Sequence, residues 1–408
     1  MAKRVVVTGI GAVTPVGNDA SALWNALVSG VNGIDKITRF DTENFKCVLA
    51  AEVKGFDPLA HFEKMFAAKT DLYTLYAMCA ADEAVKDSGI EGKIDPDELS
   101  VYLGSGVGGV NTLCEEHAKC ENQGPRRVSP QFVPKMIINI AAGQIAIKYK
   151  AHGNAMCIST ACATGTSVLG EAYRAIKDGY TTAAICGGSE AAVNPLCIAG
   201  FQNLQALSQS DDKDAASLPF DARRGGFVLG EGAGVLVLEE YEHAVARGAH
   251  IYCEMTGYGA TCDAHHITAP DTEATYTAKA IKDALKFTEY SADRLYINAH
   301  GTGTHYNDLA ETAAFKKAFG DDAYKLTISS TKSMTGHMLG AAGAVEAIAC
   351  VKALETGIVP PTINLTEKDS ECDLDYTPVM AVKKDIDTAI STSLGFGGHN
   401  ACVAFKKI

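Results

Sequence analysis

The sequence predicts an α/β fold of stacked layers arranged as two related halves, and three observations carry that expectation. Short β-branched runs at residues 5–7, 101–103, 182–186 and 235–238 alternate with Ala-rich helical stretches such as 167–177. The opening RVVVTGIGA returns close to residue 251 as IYCEMTGYGA, in each case a strand running into a glycine-rich turn. Two further stretches repeat in kind: ISTACATGTSVLGEAYRAI is echoed by SSTKSMTGHMLGAAGAVEAIACVKAL, and VYLGSGVGG by YINAHGTGT. The halves are 1–250 and 251–408; common α/β grammar arising by chance is the alternative reading of the echoes.

Taken in chain order, the first strand ends in the pair Gly9 and Gly11, which invites a dinucleotide-binding reading. The third glycine is missing, since Thr14 and Pro15 follow, and a tight structural turn is the better reading. The apolar run before STACATGTS predicts a strand that hands over to a helix at Cys162. Residues 296–299 form another strand-like run, closed by His300, and His337 begins a further Ala/Gly-rich helix that carries Glu346. Loops gather at 122–134, 208–226 and 263–275, and the chain nears its end on the turn GFGGHN.

Composition narrows the class. With 408 residues, 47% hydrophobic and 21% charged, the chain is too apolar for disorder and long enough to bury a large core. A net charge of -13 without a basic run speaks against general nucleic-acid binding. Thirteen cysteines, an odd number with no C-x-x-C pair, fit neither a disulfide framework nor a zinc ribbon and suggest a reducing cytoplasm. No signal peptide and no membrane span are expected, because Gly9, Gly11 and Pro15 break the opening apolar run and no later run is long enough.

Several residues stand where chemistry is done. Cys162 is placed at a helix start, where free N–H groups and the helix dipole favour a thiolate and lower its pKa. A small buried hydrophobe flanked by alanines is the competing reading. His300 and His337 stand at glycine-rich turns, and Lys332 lies at a strand end, each of which alone suits an ordinary loop or core position. Glu346 shares an apolar helix face with Leu339 and Ala342, so its carboxylate requires a partner. Their joint occurrence favours chemistry.

With STACATG, FDARRGGFVLGEGAG, AHGTGTHYND, STKSMTGHMLGAAGAVE and SLGFGGHNA in that order, the chain resembles the elongating β-ketoacyl-[acyl-carrier-protein] synthases of type II in the thiolase superfamily. The resemblance spans essentially the whole chain. It implies a thiolase-like fold, two pseudo-symmetric halves in a five-layered αβαβα arrangement, and a homodimer. It implies a decarboxylative Claisen condensation: Cys162 is acylated from acyl carrier protein, and the carbanion from malonyl carrier protein attacks that acyl group. His300 and His337 would stabilise the enolate, Lys332 orient them and Glu346 tether Lys332. The N–H groups of Cys162 and Phe396 would form the oxyanion hole, with Phe396 also acting as a gate.

The same resemblance places Val107 in the distal acyl pocket and Thr302, Thr304 and Thr268 along the pantetheine. Lys64, Lys69, Arg126, Arg127 and Lys135 would dock the acidic carrier. No cofactor is implied, since phosphopantetheine arrives on the carrier, and no metal is required, although some relatives hold a monovalent cation near the positions of Asn298, Glu346 and Ser391. Three departures stand out: Gln205 replaces a usual Arg at the carrier contact, Thr392 a usual Asn beside the cation position, and His399 a common Thr. Alternatives are a polyketide-type ketosynthase, a non-catalytic partner subunit of such an enzyme, or a coenzyme A-dependent thiolase or starter synthase. The retained Cys162 opposes a partner subunit, and the His pair opposes the coenzyme A enzymes.

Overall fold

In the computed structural model, which describes residues 2–408, ten strands form one continuous sheet. In chain order they are β1 (Val5–Val13), β2 (Leu99–Gly104), β3 (Ala155–Ile158), β4 (Ala183–Glu190) and β5 (Gly232–Glu240), then β6 (Cys253–Cys262), β7 (Leu295–Asn298), β8 (Thr327–Ser329), β9 (Thr388–Gly395) and β10 (His399–Lys406). Across the sheet the order is β8-β7-β9-β10-β6-β1-β5-β4-β2-β3. Read outward from its middle, one side runs 1-5-4-2-3 and the other 6-10-9-7-8, the same topology twice. The strand directions match too: antiparallel for β1–β5, β5–β4, β6–β10 and β10–β9, parallel for β4–β2, β2–β3, β9–β7 and β7–β8. The two sides meet only where Val5–Val7 pairs with Cys253–Met255.

Helices complete five layers. The outer face of the first half carries α1 (Leu72–Ser88) and α2 (Ile140–Tyr149); the outer face of the second carries α4 (Thr275–Leu285) and α5 (His305–Phe319). Between the halves lie α3 (Thr164–Lys177) and α6 (Ala342–Thr356), each touching strands of both. Side chains alternate across a strand, so Leu236 and Leu238 enter the central core while Val235 and Val237 enter the outer one under α1. Burial on both faces explains why these strands read as unbroken apolar runs rather than alternating ones. Helix α6 is buried along most of its length, with Lys352 and Glu355 at its C-terminal end, and it stops at Gly357, whose φ of 69° few other residues adopt without strain.

The repeated glycine pairs have a packing role. Gly9 and Gly11 lie inside β1, not in the turn the sequence suggested, and a Cβ on them would come within 2.1 and 2.0 Å of the carbonyl oxygens of Ala84 and Ala80 in α1. Gly257 and Gly259 of β6 do the same against Ala284 and Ala280 of α4, at 1.8 and 1.9 Å. Two residues apart on a strand, each pair clears one face so that a helix can lie directly on backbone. Gly257→Ala is therefore expected to cost at least ~1–3 kcal/mol by overpacking, read as a lowered thermal midpoint. An unchanged midpoint would contradict this account of the repeat.

Candidate active site

The ends of β3, β7 and β9 converge on one cavity of about 390 Å³. Cys162 lies in the short connection from β3 to α3, two residues before the helix. Ala161 before it holds a φ of 50°, a strained value for a residue with a Cβ, and this sharp turn brings the chain into α3. Cys162 is 9% exposed and lines the cavity with His300, His337 and Phe396. The backbone N–H groups of Phe396 and Cys162 both act on its sulfur.

Burial pushes the Cys162 thiol up to about 12, opposed by the charge of Lys332 and by those two N–H groups. This corrects the lowered value expected from the helix start, because desolvation outweighs the dipole in a site this enclosed.

The two imidazoles stand edge to face, 5.2 Å between centroids, both buried, and neither Nδ1 has a hydrogen-bond partner. Burial and the nearby Lys332 ammonium hold both well below the ordinary histidine range, so they are neutral at physiological pH. Each is fixed through its backbone. The His337 N–H donates to Val228 O at 2.7 Å and its carbonyl accepts from Gly230 N–H at 2.9 Å. The His300 N–H donates to Glu311 Oε1 at 2.7 Å, and the Gly301 N–H to Glu311 Oε2 at 2.7 Å.

Behind the histidines, and outside the cavity lining, Lys332 donates to Glu346 of α6; their side chains are 1% and 2% exposed. Burial raises the Glu346 pKa and Lys332 opposes the rise. Breaking one side of such a pair strands the other charge. Lys332→Met is expected to cost about 3–5 kcal/mol, and Lys332→Met with Glu346→Leu to recover much of it in a thermal melt. A single variant as stable as the double would contradict the pairing argument.

Asn298 and Ser391 face each other in the register of β7 and β9, and α6 packs on both strands. Asn298 Oδ1, Ser391 Oγ and Glu346 Oε2 are all buried without a hydrogen-bond partner. Three unpaired oxygen donors suit a hard cation, so these residues fit the monovalent ion considered for them. Thr392 is occupied elsewhere: its hydroxyl donates to Glu311 Oε1 at 2.7 Å.

Thr268, Thr302 and Thr304 all line the cavity, and the Thr302 and Thr304 hydroxyls are 2.9 Å apart. Gln205 lines it as well, beside the apolar rings of Phe201 and Phe227. Phe396 is half-buried between Gly395 and Gly397, and the Gly397 N–H donates to Ile267 O at 2.7 Å, linking this turn to the loop carrying Thr268. His399 is half-buried in β10, outside the cavity lining.

Val107 departs from expectation. It is 43% exposed and does not line the Cys162 cavity in the single chain. The buried Glu190 carboxylate accepts from Ser105 Oγ and from the N–H groups of Gly106 and Val107, pinning the loop so that this side chain faces outward. Of the five basic residues, Lys69 and Lys135 share one surface groove with Met65 and Phe66. Lys64 opens the short helix Lys64–Ala68, and Arg126 and Arg127 lie in the turn Pro125–Arg127.

Sequence reasoning missed Glu311 and Asp308. Both are fully buried carboxylates of α5 that bind the HGTG turn, Asp308 by accepting from the Gly303 N–H at 3.3 Å. Burial pushes Glu311 up to about 7. The available signal was an acidic pair, three residues apart, on a helix opening at that glycine-rich turn.

This architecture, with a buried cysteine at a helix start facing two neutral histidines, defines a class. Two family models match the chain, the beta-ketoacyl synthase N-terminal domain over residues 2–244 and the C-terminal domain over 252–366. The chain belongs to the beta-ketoacyl synthase family, which is one of condensing acyltransferases. Among its relatives, 3-oxoacyl-[acyl-carrier-protein] synthase 2 of Synechocystis sp. is 48% identical, with 99% of this chain and 98% of that protein covered. The protein of the same name from Staphylococcus aureus (strain COL) is also 48% identical over the same shares. Similar solved structures include the ishigamide ketosynthase/chain length factor (TM-score 0.93, 35% identity) and a type II polyketide ketosynthase bound to its acyl-carrier protein (TM-score 0.92, 34% identity), each covering both chains fully.

Proposed function

We propose that this protein elongates fatty acyl chains by two carbons on acyl carrier protein. The observation that carries the reading is the shared cavity of Cys162, His300 and His337, lined also by three threonines and reached by the Phe396 and Cys162 N–H groups. Cys162 Sγ attacks the acyl thioester, the oxyanion is held by those N–H groups, and the carrier leaves as its free thiol, taking up the cysteine's proton. Malonyl carrier protein then enters. Loss of carbon dioxide leaves its electron pair on the α-carbon, and neutral His300 and His337 donate hydrogen bonds to the thioester oxygen where the negative charge collects. The α-carbon attacks the acyl-Cys162 carbonyl, the C–S bond breaks with its electron pair on sulfur, the Cys162 thiolate takes up a proton from solvent, and 3-oxoacyl carrier protein departs.

Lys332, held by Glu346, orients the histidines without entering the cavity. Thr268, Thr302 and Thr304 hydrogen-bond the pantetheine amides, and Phe396 swings between its glycines to admit the second substrate. A monovalent cation on Asn298, Glu346 and Ser391 would supply positive charge that neutralises the carboxylate and stiffens the ends of β7 and β9. The reaction needs no resident cofactor and does not require that ion, since phosphopantetheine arrives on the carrier.

The acidic carrier docks on Lys64, Lys69, Arg126, Arg127 and Lys135. Lys69→Glu with Lys135→Glu, two charges in one groove, is expected to raise KM for acyl carrier protein about tenfold at low salt while leaving kcat unchanged. A kcat loss with unchanged KM would contradict the docking role. Two copies pair through β3, one of the two terminal strands of the sheet, whose Met156 is 43% exposed. Light scattering at the monomer mass would refute this. The work is done in the cytoplasm, a compartment that suits thirteen unpaired cysteines.

Fatty-acid elongation is preferred over polyketide assembly because the 48% relatives carry that name, whereas the polyketide-type structures are 34–35% identical. One extension per malonyl unit, followed by release, tests the choice. Products extended several times without reduction would favour the polyketide reading. Condensation from acetyl-CoA but not from long acyl carrier proteins would sink both.

A further inference from the structure

Thr392 lies in β9 one residue beyond Ser391, which is the last residue of that strand paired with β7. It is 1% exposed. Its hydroxyl donates to Glu311 Oε1 at 2.7 Å and accepts from the His300 N–H at 3.2 Å. The same His300 N–H also donates to Glu311 Oε1 at 2.7 Å, so His300, Thr392 and Glu311 close a three-membered ring of hydrogen bonds. The second oxygen of Glu311 holds the Gly301 N–H at 2.7 Å.

The ring ties three elements together: the end of β7, strand β9 and helix α5. His300 follows β7 by two residues and opens a turn through Gly301 and Gly303, with φ of 34° and 76°, whose carbonyls accept from Ser330 Oγ at 2.6 Å and Gly226 N–H at 3.0 Å. Its side chain has no Nδ1 partner, so nothing on that nitrogen fixes the ring; its direction is set by its backbone and its packing. From the helix side Glu311 holds the His300 and Gly301 N–H groups, while Asp308 holds only the Gly303 N–H further along the turn. From the sheet side Ser330 Oγ holds the Gly301 carbonyl, and Thr392 is the side chain there that meets the His300 N–H itself; its own hydrogen satisfies a carboxylate that has no cation within hydrogen-bond reach.

We infer that Thr392 is a positioning residue for His300, fixing the direction from which its imidazole reaches the malonyl thioester oxygen. The inference rests on the condensation reading above and extends it to a residue that touches neither substrate nor the reacting atoms. It also gives the departure at this position a role: the hydroxyl is committed to the histidine turn and is not a cation ligand.

The test uses the full chain with Thr392→Val, which keeps the shape and removes the hydroxyl, and Thr392→Ser, which restores it. Carbon dioxide release from malonyl carrier protein and acylation of Cys162 are measured separately. For Thr392→Val, kcat for decarboxylation is expected to fall about tenfold, the size of one hydrogen bond to a charged acceptor. KM for malonyl carrier protein and the acylation rate should stay within twofold, and Thr392→Ser should regain most of the lost rate. Three results would overturn the inference: decarboxylation by Thr392→Val within twofold of wild type, a serine variant no better than the valine one, or acylation falling in parallel. A wild-type protein that releases no carbon dioxide would sink the condensation reading, and this inference with it; a defect-free valine variant beside an active wild type sinks this inference alone.

Discussion

Cys162→Ala leaves the protein unable to take an acyl group from acyl carrier protein, and condensation is abolished. The chain has twelve other cysteines, so the claim is specific. Cys162 is the one in the cavity shared with both histidines, and the N–H groups of Phe396 and Cys162 reach its sulfur. Others fail for physical reasons: Cys186, Cys253 and Cys402 are completely enclosed, and Cys262 is exposed but outside that cavity. The check is radiolabelled acyl transfer, and wild-type labelling of Cys162→Ala would refute the nucleophile assignment. Malonyl decarboxylation is expected to survive in the variant, because the histidines and the cavity remain.

His300→Ala or His337→Ala gives the complementary defect. Each variant removes one neutral donor from the developing enolate, a loss of about 10²–10³ in the rate of decarboxylation by analogy with an oxyanion-hole donor. Acylation of Cys162 is expected to persist, because its oxyanion is held by backbone N–H groups that neither variant removes. Carbon dioxide release and acyl-enzyme formation, measured side by side, separate the two steps. Full condensation in either variant would contradict the assigned role, and equal loss of both steps would place that histidine in the acylation chemistry instead.

Much of this arrangement was legible in the residues. The glycine pairs of TGIGA and TGYGA pointed to a repeat, although as turns; their role in letting a helix lie directly on strand backbone is visible only in the structure. The structure places those pairs at equivalent points of two half-sheets with one topology. Cys162, His300 and His337 were visible as chemical residues at strand-to-helix turns, a local pattern that short segments can carry.

What stayed hidden depends on contacts between distant segments. Glu311 meets Thr392 across 81 positions, and nothing local in either stretch predicts that hydrogen bond. The outward direction of Val107 follows from a carboxylate 83 residues away, at Glu190. The Cys162 thiol was expected to be lowered because helix starts are visible in a sequence, whereas the completeness of its burial is set by the whole fold.

The central claim is that one cysteine carries the growing chain while two histidines prepare the second substrate. Intact-protein mass spectrometry after incubation with acyl carrier proteins of graded acyl length tests it most directly. The account predicts a mass gain of one acyl group, mapped to Cys162, which disappears on adding malonyl carrier protein as a 3-oxoacyl chain two carbons longer appears on the carrier. An acyl group on any other residue, or an acyl-Cys162 that malonyl carrier protein leaves untouched, would contradict it.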